Sequence, residues 1–520
     1  MRLRLALRTL AAACALTLAA CGTLAPHAER PVSMALKAPG DSALVRVAQA
    51  SAPSPGSGFR LMPHGLYSLD ARIELIRRAQ SSIDAQYYIV ADDRSGRLFM
   101  RTLRSAAMRG VRVRLLVDDL YTAGADPMFT GLAAFPNVEV RLFNPFCCAR
   151  KGTISRFAAS LMDVQRLNHR MHNKMFIVDG AMAVMGGRNV ADEYFARGVR
   201  SNFVDMDVLV VGDVVPQLAR IFDTYWNSAQ AYDIDAIVTE PEDPKARRAA
   251  FDRRVDEGDQ MMSVNVPAMD MLAQRPLAEE IDGGRLRLAP GRAVAFADQP
   301  AKVMATDAEM ARTMSVQMNI MDRVTAADRQ VVISSPYFIP GEGGVKSFAD
   351  LRARGVDVVI LTNSQAANDV PLAHIGYARY RVAMVRAGVS LYELSAAGGE
   401  HEAWDSLPGM SQGRLHAKVA VWDGSMVYIG SMNLDPRSES TNTELGIVVQ
   451  SAELAASVVR VIDATRRQGS YRVRFAADGE RLEWIGMGAS TSVLTSEPDV
   501  TPFAQFRNML LAPFVPEQLL

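Results

Sequence analysis

Cysteine is scarce, a basic excess is missing and no apolar run is long enough to cross a bilayer; each gap removes a class of protein. Four cysteines occur in 520 residues. Cys14 and Cys21 fall near the N-terminus, while Cys147 and Cys148 are neighbours, an arrangement that suits neither a mutual disulfide nor any zinc-binding spacing. Ordinary buried thiols are expected there, with a strained redox pair as the alternative. Lys+Arg and Asp+Glu are equal at 57 each. Without Arg2, Arg4 and Arg8 the balance is 54 against 57, about −3. Nucleic-acid binders carry a basic excess to release counterions, so a nucleic-acid partner is not expected, although a local basic groove can hide in a neutral total. No Walker-type phosphate loop is present, and the GMG at Gly486–Gly488 lacks its strand and helix context. What remains is an ordinary globular composition, 49% hydrophobic and 22% charged, long enough for two to four domains.

Residues 1–20 set three arginines ahead of an apolar run of about a dozen residues, which suits a secretory signal and is too short for a transmembrane span. The run ends in Leu18-Ala19-Ala20-Cys21. This resembles a bacterial lipobox and implies lipidation at Cys21; the alternative is a plain signal with a chance cysteine. Residues 21–58, rich in Pro, Ala, Ser and Gly, read as a flexible tether.

A repeat dominates the rest. RMHNKMFIVDGAMAVMGGRN, Arg170 to Asn189, recurs as RLHAKVAVWDGSMVYIGSMN, Arg414 to Asn433. Both fit H-x-K-x4-D-x6-G-[GS]-x-N, through His172, Lys174, Asp179, Gly186, Gly187 and Asn189, then His416, Lys418, Asp423, Gly430, Ser431 and Asn433. Identical spacing in two copies makes accident implausible. Upstream, IDAQYYIV, RGVRVRLLVDD and NVEVRLFNP match VISSPYFIP, RGVDVVILTNS and GVSLYELSA. Stripes such as Phe99, Leu103 and Ala106 between these apolar strands predict helices. The chain therefore reads as two tandem α/β layered domains at 59–234 and 285–470, joined by a charged connector at 235–284 and followed by a tail at 471–520.

Period-two alternation puts His172 and Lys174 on one face, and His416 and Lys418 likewise. Unpaired, such charges in an apolar element cost several kcal/mol. If the halves meet face to face about a pseudo-twofold axis, the two pairs share one pocket. Two imidazoles, two ammonium groups and two carboxamides do not make a metal cage; no metal and no cofactor is expected. They do suit a phosphodiester: the lysines, Asn189 and Asn433 hold the non-bridging oxygens, one histidine attacks phosphorus and the other protonates the leaving alkoxide.

The twin motif resembles the signature of the phospholipase D superfamily. The words QYYIVADD, RLFNPF, RMHNKMFIVDG, MGGRNVADEYF and FDTYWNS resemble its bacterial cardiolipin synthase branch, nearest its C type. The resemblance implies two phospholipase D-like α/β/α sandwich domains forming a pseudo-dimer, phospholipid substrates, and a metal-independent transfer through a phosphohistidine. By family habit His172 is the nucleophile and His416 the general acid/base, with Lys174, Asp179, Lys418 and Asp423 completing the catalytic motifs. Asp179 and Asp423, each before a glycine, also suit turns. The family further places a carboxylate on the far nitrogen of each histidine, and Asp207 and Glu444 stand at matching places. Gly187 replaces the hydroxyl that Ser431 supplies in the second copy, so backbone and Arg188 are expected to bind phosphate there.

These readings point to a cardiolipin-forming phosphatidyltransferase in the cell envelope, tethered through Cys21, facing the periplasm and working at a membrane surface either alone or with a helper protein. The alternatives are a phospholipase D or other phosphodiesterase using water, and an inactive lipoprotein scaffold. Asp118 and Asp119 are assigned to a turn, and Tyr87, Tyr88 and Tyr337 to packing. The apolar tail residues Phe503, Phe506, Met509, Leu510, Leu511 and Phe514 either lie on lipid or cap the core.

Overall fold

The computed structural model describes residues 24, 30–37, 40–238, 243–257, 264–305, 307–313, 315–396, 412–488 and 492–500. The expected signal region, Cys21 and the apolar tail residues from Phe503 onward lie outside the described residues.

The first half carries β1 (Ser57–Met62), β2 (Ser82–Tyr87), β3 (Arg112–Asp118), β4 (Val138–Phe143), β5 (Met175–Val178), β6 (Met182–Gly186), β7 (Ser201–Val204), β8 (Asp207–Gly212) and β9 (Ala231–Asp233). Its sheet runs β1-β8-β6-β5-β2-β3-β4-β9, with β2, β3 and β4 parallel and every other pairing antiparallel. The parallel strands need helical crossovers, and the apolar stripes supply them. Phe99, Leu103 and Ala106 are buried on the helix Arg94–Met108, whose first turn is capped by the Asp93 side chain accepting from Gly96 N–H.

The second half repeats this through β10 (Ala289–Ala297), β11 (Gln330–Ser334), β12 (Asp357–Asn363), β13 (Ser390–Leu394), β14 (Gln412–Leu415), β15 (Val419–Trp422), β16 (Met426–Gly430), β17 (Leu445–Gln450) and β18 (Ser470–Phe475). The order β10-β17-β16-β15-β11-β12-β13-β18 is the first sheet again, strand for strand. Antiparallel pairing of β1 with β10, from Ser57 opposite Gly291 to Phe59 opposite Ala289, joins the two into one sheet.

Alternation along β8 separates two cores. Leu209 and Val211 face an outer core with Leu69 and Ile73. Val208 and Val210 face a central core shared with Ile447 and Val449 of β17 and with the helices Val215–Trp226 and Ala452–Gly469. Each half is thus covered by helices on both faces, and the inner layer belongs to both. The pair is a tandem α/β/α pseudo-dimer.

Three segments differ from expectation. The tether is structured in its second part: Ala43–Ser51 is helical and buries Leu44, Val47 and Ala48, because apolar spacing outweighs the surrounding Pro and Gly. The tail adds β18, β19 (Leu482–Gly486) and β20 (Val493–Leu494) to the edge of the second sheet, and the RLEW stretch buries Trp484. The connector's helix Pro244–Asp256 packs on the first half through Phe251 and Val255, so it is part of that half's surface layer. Cys147 and Cys148 are half-buried, not fully buried. Among the described residues no helix is long and apolar enough to cross a membrane.

Candidate active site

Both histidines sit just ahead of a strand, in the extended segments that lead into β5 and β15. Each segment is held by the opposite half. His172 N–H donates to Thr443 O (2.9 Å), while Thr443 N–H donates to Arg170 O (2.9 Å). On the other side β14 pairs in parallel with β7, Leu415 opposite Val204, and His416 N–H donates to Val204 O (2.8 Å). Asp118 steadies the first segment by accepting from Met171 N–H (2.8 Å) and Arg170 (3.0 Å); its turn role, accepting from Leu120 N–H, is kept as well. Asn363 does the same for the second, exchanging two hydrogen bonds with the Leu415 backbone.

The carboxylates cross over with the backbone. His172 Nδ1 lies 3.0 and 3.1 Å from the Glu444 oxygens, and His416 Nδ1 lies 2.6 Å from Asp205 Oδ2. Each imidazole is therefore oriented by the half that does not carry it, as a buried carboxylate fixes a ring tautomer elsewhere.

Asp205, not the expected Asp207, takes this place in the first half. Asp207 opens β8 on the same face as Leu209 and Val211, pointing away from the interface. It accepts from Ser68 Oγ (2.5 Å) and Arg72 Nη2 (2.9 Å), a fully buried pair. Asp205 precedes the strand, is free of its alternation, and turns inward. Two acidic residues stand in NFVDMDV, and only the fold decides between them.

Ser431 is also reassigned. Its hydroxyl donates to Glu444 (2.5 Å), and Ser438 supplies a second donor to the same carboxylate (2.9 Å), so Ser431 holds the carboxylate and not the phosphate. At the equivalent position a Cβ on Gly187 would stand 2.2 Å from Asp205 Oδ1. The missing hydroxyl is thus a space requirement of the crossed carboxylate. Arg188 does not face a ligand: it is buried and donates to the carbonyls of Tyr194, Met62, Pro63 and Asp205. Asp179 and Asp423 lie beyond the far ends of β5 and β15, seven residues from their histidines, roughly 20 Å along an extended chain. Both adopt left-handed backbone (φ 52° and 53°) and accept backbone N–H groups, from Gln80, Ser81 and Ser82 in one case and Asp328, Arg329 and Gln330 in the other. They are turn anchors, outside the catalytic group.

Each lysine bonds the carbonyl of its own histidine: Lys174 Nζ to His172 O (2.5 Å) and Lys418 Nζ to His416 O (2.6 Å). Burial, with some repulsion between them, lowers the Lys174 ammonium well below its ordinary range; burial outweighs Asp205 and Glu444 to bring Lys418 down to about 8. Burial and Lys418 push His416 down to about 4, and burial with Lys174 and Lys418 holds His172 well below its ordinary range. The carboxylates differ. Burial would raise Asp205, but His416 and Lys418 outweigh it and hold it at about 2. Burial raises Glu444 to about 7. Asp205 is the firm anion of the site, whereas burial makes Glu444 the weaker one.

His172 and His416 line one cavity of about 410 Å³ together with Asn189, Asn433, Tyr88 and Tyr194. Asn189 is engaged, accepting from Ile89 N–H (3.2 Å) and donating to Tyr194 Oη (2.8 Å); Asn433 Oδ1 is buried and accepts no hydrogen bond among the described residues. The tyrosines assigned to packing divide: Tyr87 is a core residue hydrogen-bonded to Arg72, while Tyr88 and Tyr337 face the cavity. Glu193, Asp369 and Arg437 line it too and were not anticipated. The signal for two of them is in the repeat, since Glu193 and Arg437 each stand four residues after the motif asparagine.

The family model described as "Cardiolipin synthase, PLD-like domain" matches residues 72–226 and 320–465, more than half of the chain. The chain is 35% identical over 469 residues to cardiolipin synthase C of Escherichia coli (strain K12), covering 90% of this chain and 97% of that one. It is 26% identical over 435 residues to cardiolipin synthase A of Pseudomonas putida (strain GB-1), 82% of this chain and 72% of that one. Among solved structures, phosphatidylserine synthase of Haemophilus influenzae Rd KW20 has the same fold, with a TM-score of 0.56 at 14% identity, over 92% of this chain and 99% of that one. The doubled sheet, the crossed histidine and carboxylate pairs and these matches agree that the chain belongs to the phospholipase D superfamily, in its cardiolipin synthase branch, and is a phospholipase D-type phospholipid enzyme.

Proposed function

We propose that the protein is a metal-independent phosphatidyltransferase that forms cardiolipin from phosphatidylglycerol and a second phospholipid. The observation that carries this reading is the crossed pair: two imidazoles in one cavity, each with Nδ1 on a carboxylate and Nε2 left for the ligand. His172 Nε2 attacks phosphorus, the bond from phosphorus to the headgroup oxygen breaks, and that oxygen takes the proton from His416 Nε2. In the second step the acceptor hydroxyl returns a proton to His416 as its oxygen attacks phosphorus and the phosphorus–nitrogen bond of His172 breaks. The asymmetry of the carboxylates supports these roles. Asp205 is the counterion that works against the burial lowering His416 and supports the imidazolium a general acid needs once the phosphodiester anion is in place, while burial keeps His172 a neutral nucleophile. The entering phosphodiester anion favours the charged ammonium groups of Lys174 and Lys418 against the burial that lowers both, which offsets the cost of burying them.

Tyr121, Val370 and Leu372 are exposed apolar side chains at the cavity mouth, which supports work at a membrane surface. Glu193 and Asp369 inside the cavity make a polyanionic nucleic acid a poor occupant. Anchoring through a lipidated Cys21, facing the periplasm, belongs to the same proposal and rests on the lipobox-like segment.

Purified protein in vesicles of phosphatidylglycerol, with and without phosphatidylethanolamine, is expected to form cardiolipin, and His172→Ala to abolish it. Phosphatidic acid as the sole product would instead make the protein a hydrolase.

A further inference from the structure

The two halves are alike in fold and motif, yet the position four residues after the motif asparagine carries Glu193 in one and Arg437 in the other, and both side chains line the cavity. A pseudo-symmetric site with opposite charges at equivalent places has a polarity. The Arg437 guanidinium is fixed by Asn168, donating to its side-chain oxygen (2.9 Å) and its carbonyl (2.8 Å), and its charge bears on His172. Glu193 precedes Tyr194, whose ring packs 5.1 Å from that of His416. Asp369 faces the same cavity, accepts from Tyr337 Oη (2.9 Å), and together with burial raises the Glu193 carboxyl above its ordinary range.

Two further groups point to what this cavity accepts. Asn433 and Asn442 line it at 4% and 6% exposure, and the Oδ1 of each accepts no hydrogen bond among the described residues. Buried acceptors without donors are costly in an empty site. Two carboxylates and two unused carboxamide oxygens in one cavity call for a ligand rich in N–H or O–H donors.

We propose that Glu193 and Asp369 form the headgroup subsite on the His416 side of the cavity, taking a headgroup that carries an ammonium or vicinal hydroxyls, while Arg437 marks the opposite, anion-facing side. This rests on the transfer reading above, because the headgroup must leave toward the general acid and the acceptor alcohol must enter from the same side. Neither carboxylate takes part in the bond changes. They select which phosphodiester sits with its leaving oxygen at His416.

The test is binding to the His172→Ala protein, which cannot form the phosphohistidine, measured by calorimetry with three soluble short-chain phosphodiesters whose glycerol hydroxyls are acylated: dihexanoyl phosphatidylethanolamine, dihexanoyl phosphatidylglycerol and the dihexanoyl phosphatidyl methyl ester. The first two are expected to bind more tightly than the methyl ester. Adding Glu193→Gln should weaken the ethanolamine form by about tenfold, the loss of one charge-assisted hydrogen bond, the neutral glycerol form less, and the methyl ester least. Arg437→Gln should weaken all three alike. Equal weakening of all three by Glu193→Gln, no weakening at all, or an ethanolamine-selective loss with Arg437→Gln would overturn the assignment. Failure of the parent protein to transfer any phosphatidyl group in vesicles would overturn the transfer reading instead, and leaves the binding order as a separate result.

Discussion

Asp205 and Asp207 stand two residues apart, are both fully buried, and have different duties, so replacing each by asparagine separates chemistry from stability. Asp205 Oδ1 accepts from Met206 N–H (2.7 Å) while Oδ2 faces His416 Nδ1 (2.6 Å). In Asp205→Asn the amide oxygen keeps the backbone donor, and the amide nitrogen is turned toward Nδ1. His416 must then carry its proton on Nε2, and the imidazolium loses its counterion. In catalytic triads the same carboxylate-to-amide change lowers kcat by about 10⁴ with the geometry intact; a fall of about 10³ to 10⁴ is expected here, with little change in thermal stability. Asp207→Asn leaves His416 untouched and weakens the Asp207 contact to Arg72, 2.9 Å long and about 1% exposed. Breaking a buried ion pair costs about 3–5 kcal/mol, so this variant should unfold at clearly lower denaturant yet retain most of its kcat while folded. Cardiolipin formation by thin-layer chromatography and urea unfolding of the same samples supply both readings. Near-parental turnover in folded Asp205→Asn, or a loss of kcat in folded Asp207→Asn as large as that in Asp205→Asn, would refute the crossed assignment.

Ser431→Ala removes one donor from Glu444 and should lower kcat by about tenfold with KM nearly unchanged; a selective rise in KM would return Ser431 to the phosphate. Gly187→Ala puts a methyl group where Asp205 sits and should lower kcat while Gly424→Ala, with open space around its Cβ position, costs stability through its positive φ and spares kcat in the folded protein. Because Lys418 is lowered to about 8, it is charged below and neutral above that pH, so kcat/KM should fall through about pH 8; Lys418→Arg should move the alkaline limb upward on whatever activity remains, and an unmoved limb would assign it elsewhere. Asp179→Ala orphans three backbone N–H groups and should cost about 1–3 kcal/mol of stability, with folded protein still forming phosphohistidine; absence of labelled intermediate in the folded variant would place Asp179 in the chemistry.

Much of this was legible in one dimension. Spacing alone doubled the domain and set His172 and Lys174 beside their counterparts His416 and Lys418, since a repeated pattern reports residues that must recur whatever surrounds them; Glu444 came from the family resemblance. The amphipathic stripes announced the helices because core-facing positions recur at the helical period. The misassignments have one physical source. Asp205 and Asp207, Ser431 as carboxylate holder, Gly187 as empty space and the buried Arg188 all depend on which way a side chain points at the end of a strand, where alternation stops and the opposite half supplies the partners. Composition marked the tether as flexible, but Leu44, Val47 and Ala48 find an apolar surface only once the first sheet exists. The sequence by itself determined that there are two equivalent half-sites and which chemistry they carry, because those residues recur in register. Only the tertiary structure decided that each half orients the other's histidine and that Glu193 and Arg437 make the cavity unequal, because contacts between residues about 200 to 270 positions apart exist only after the halves have packed.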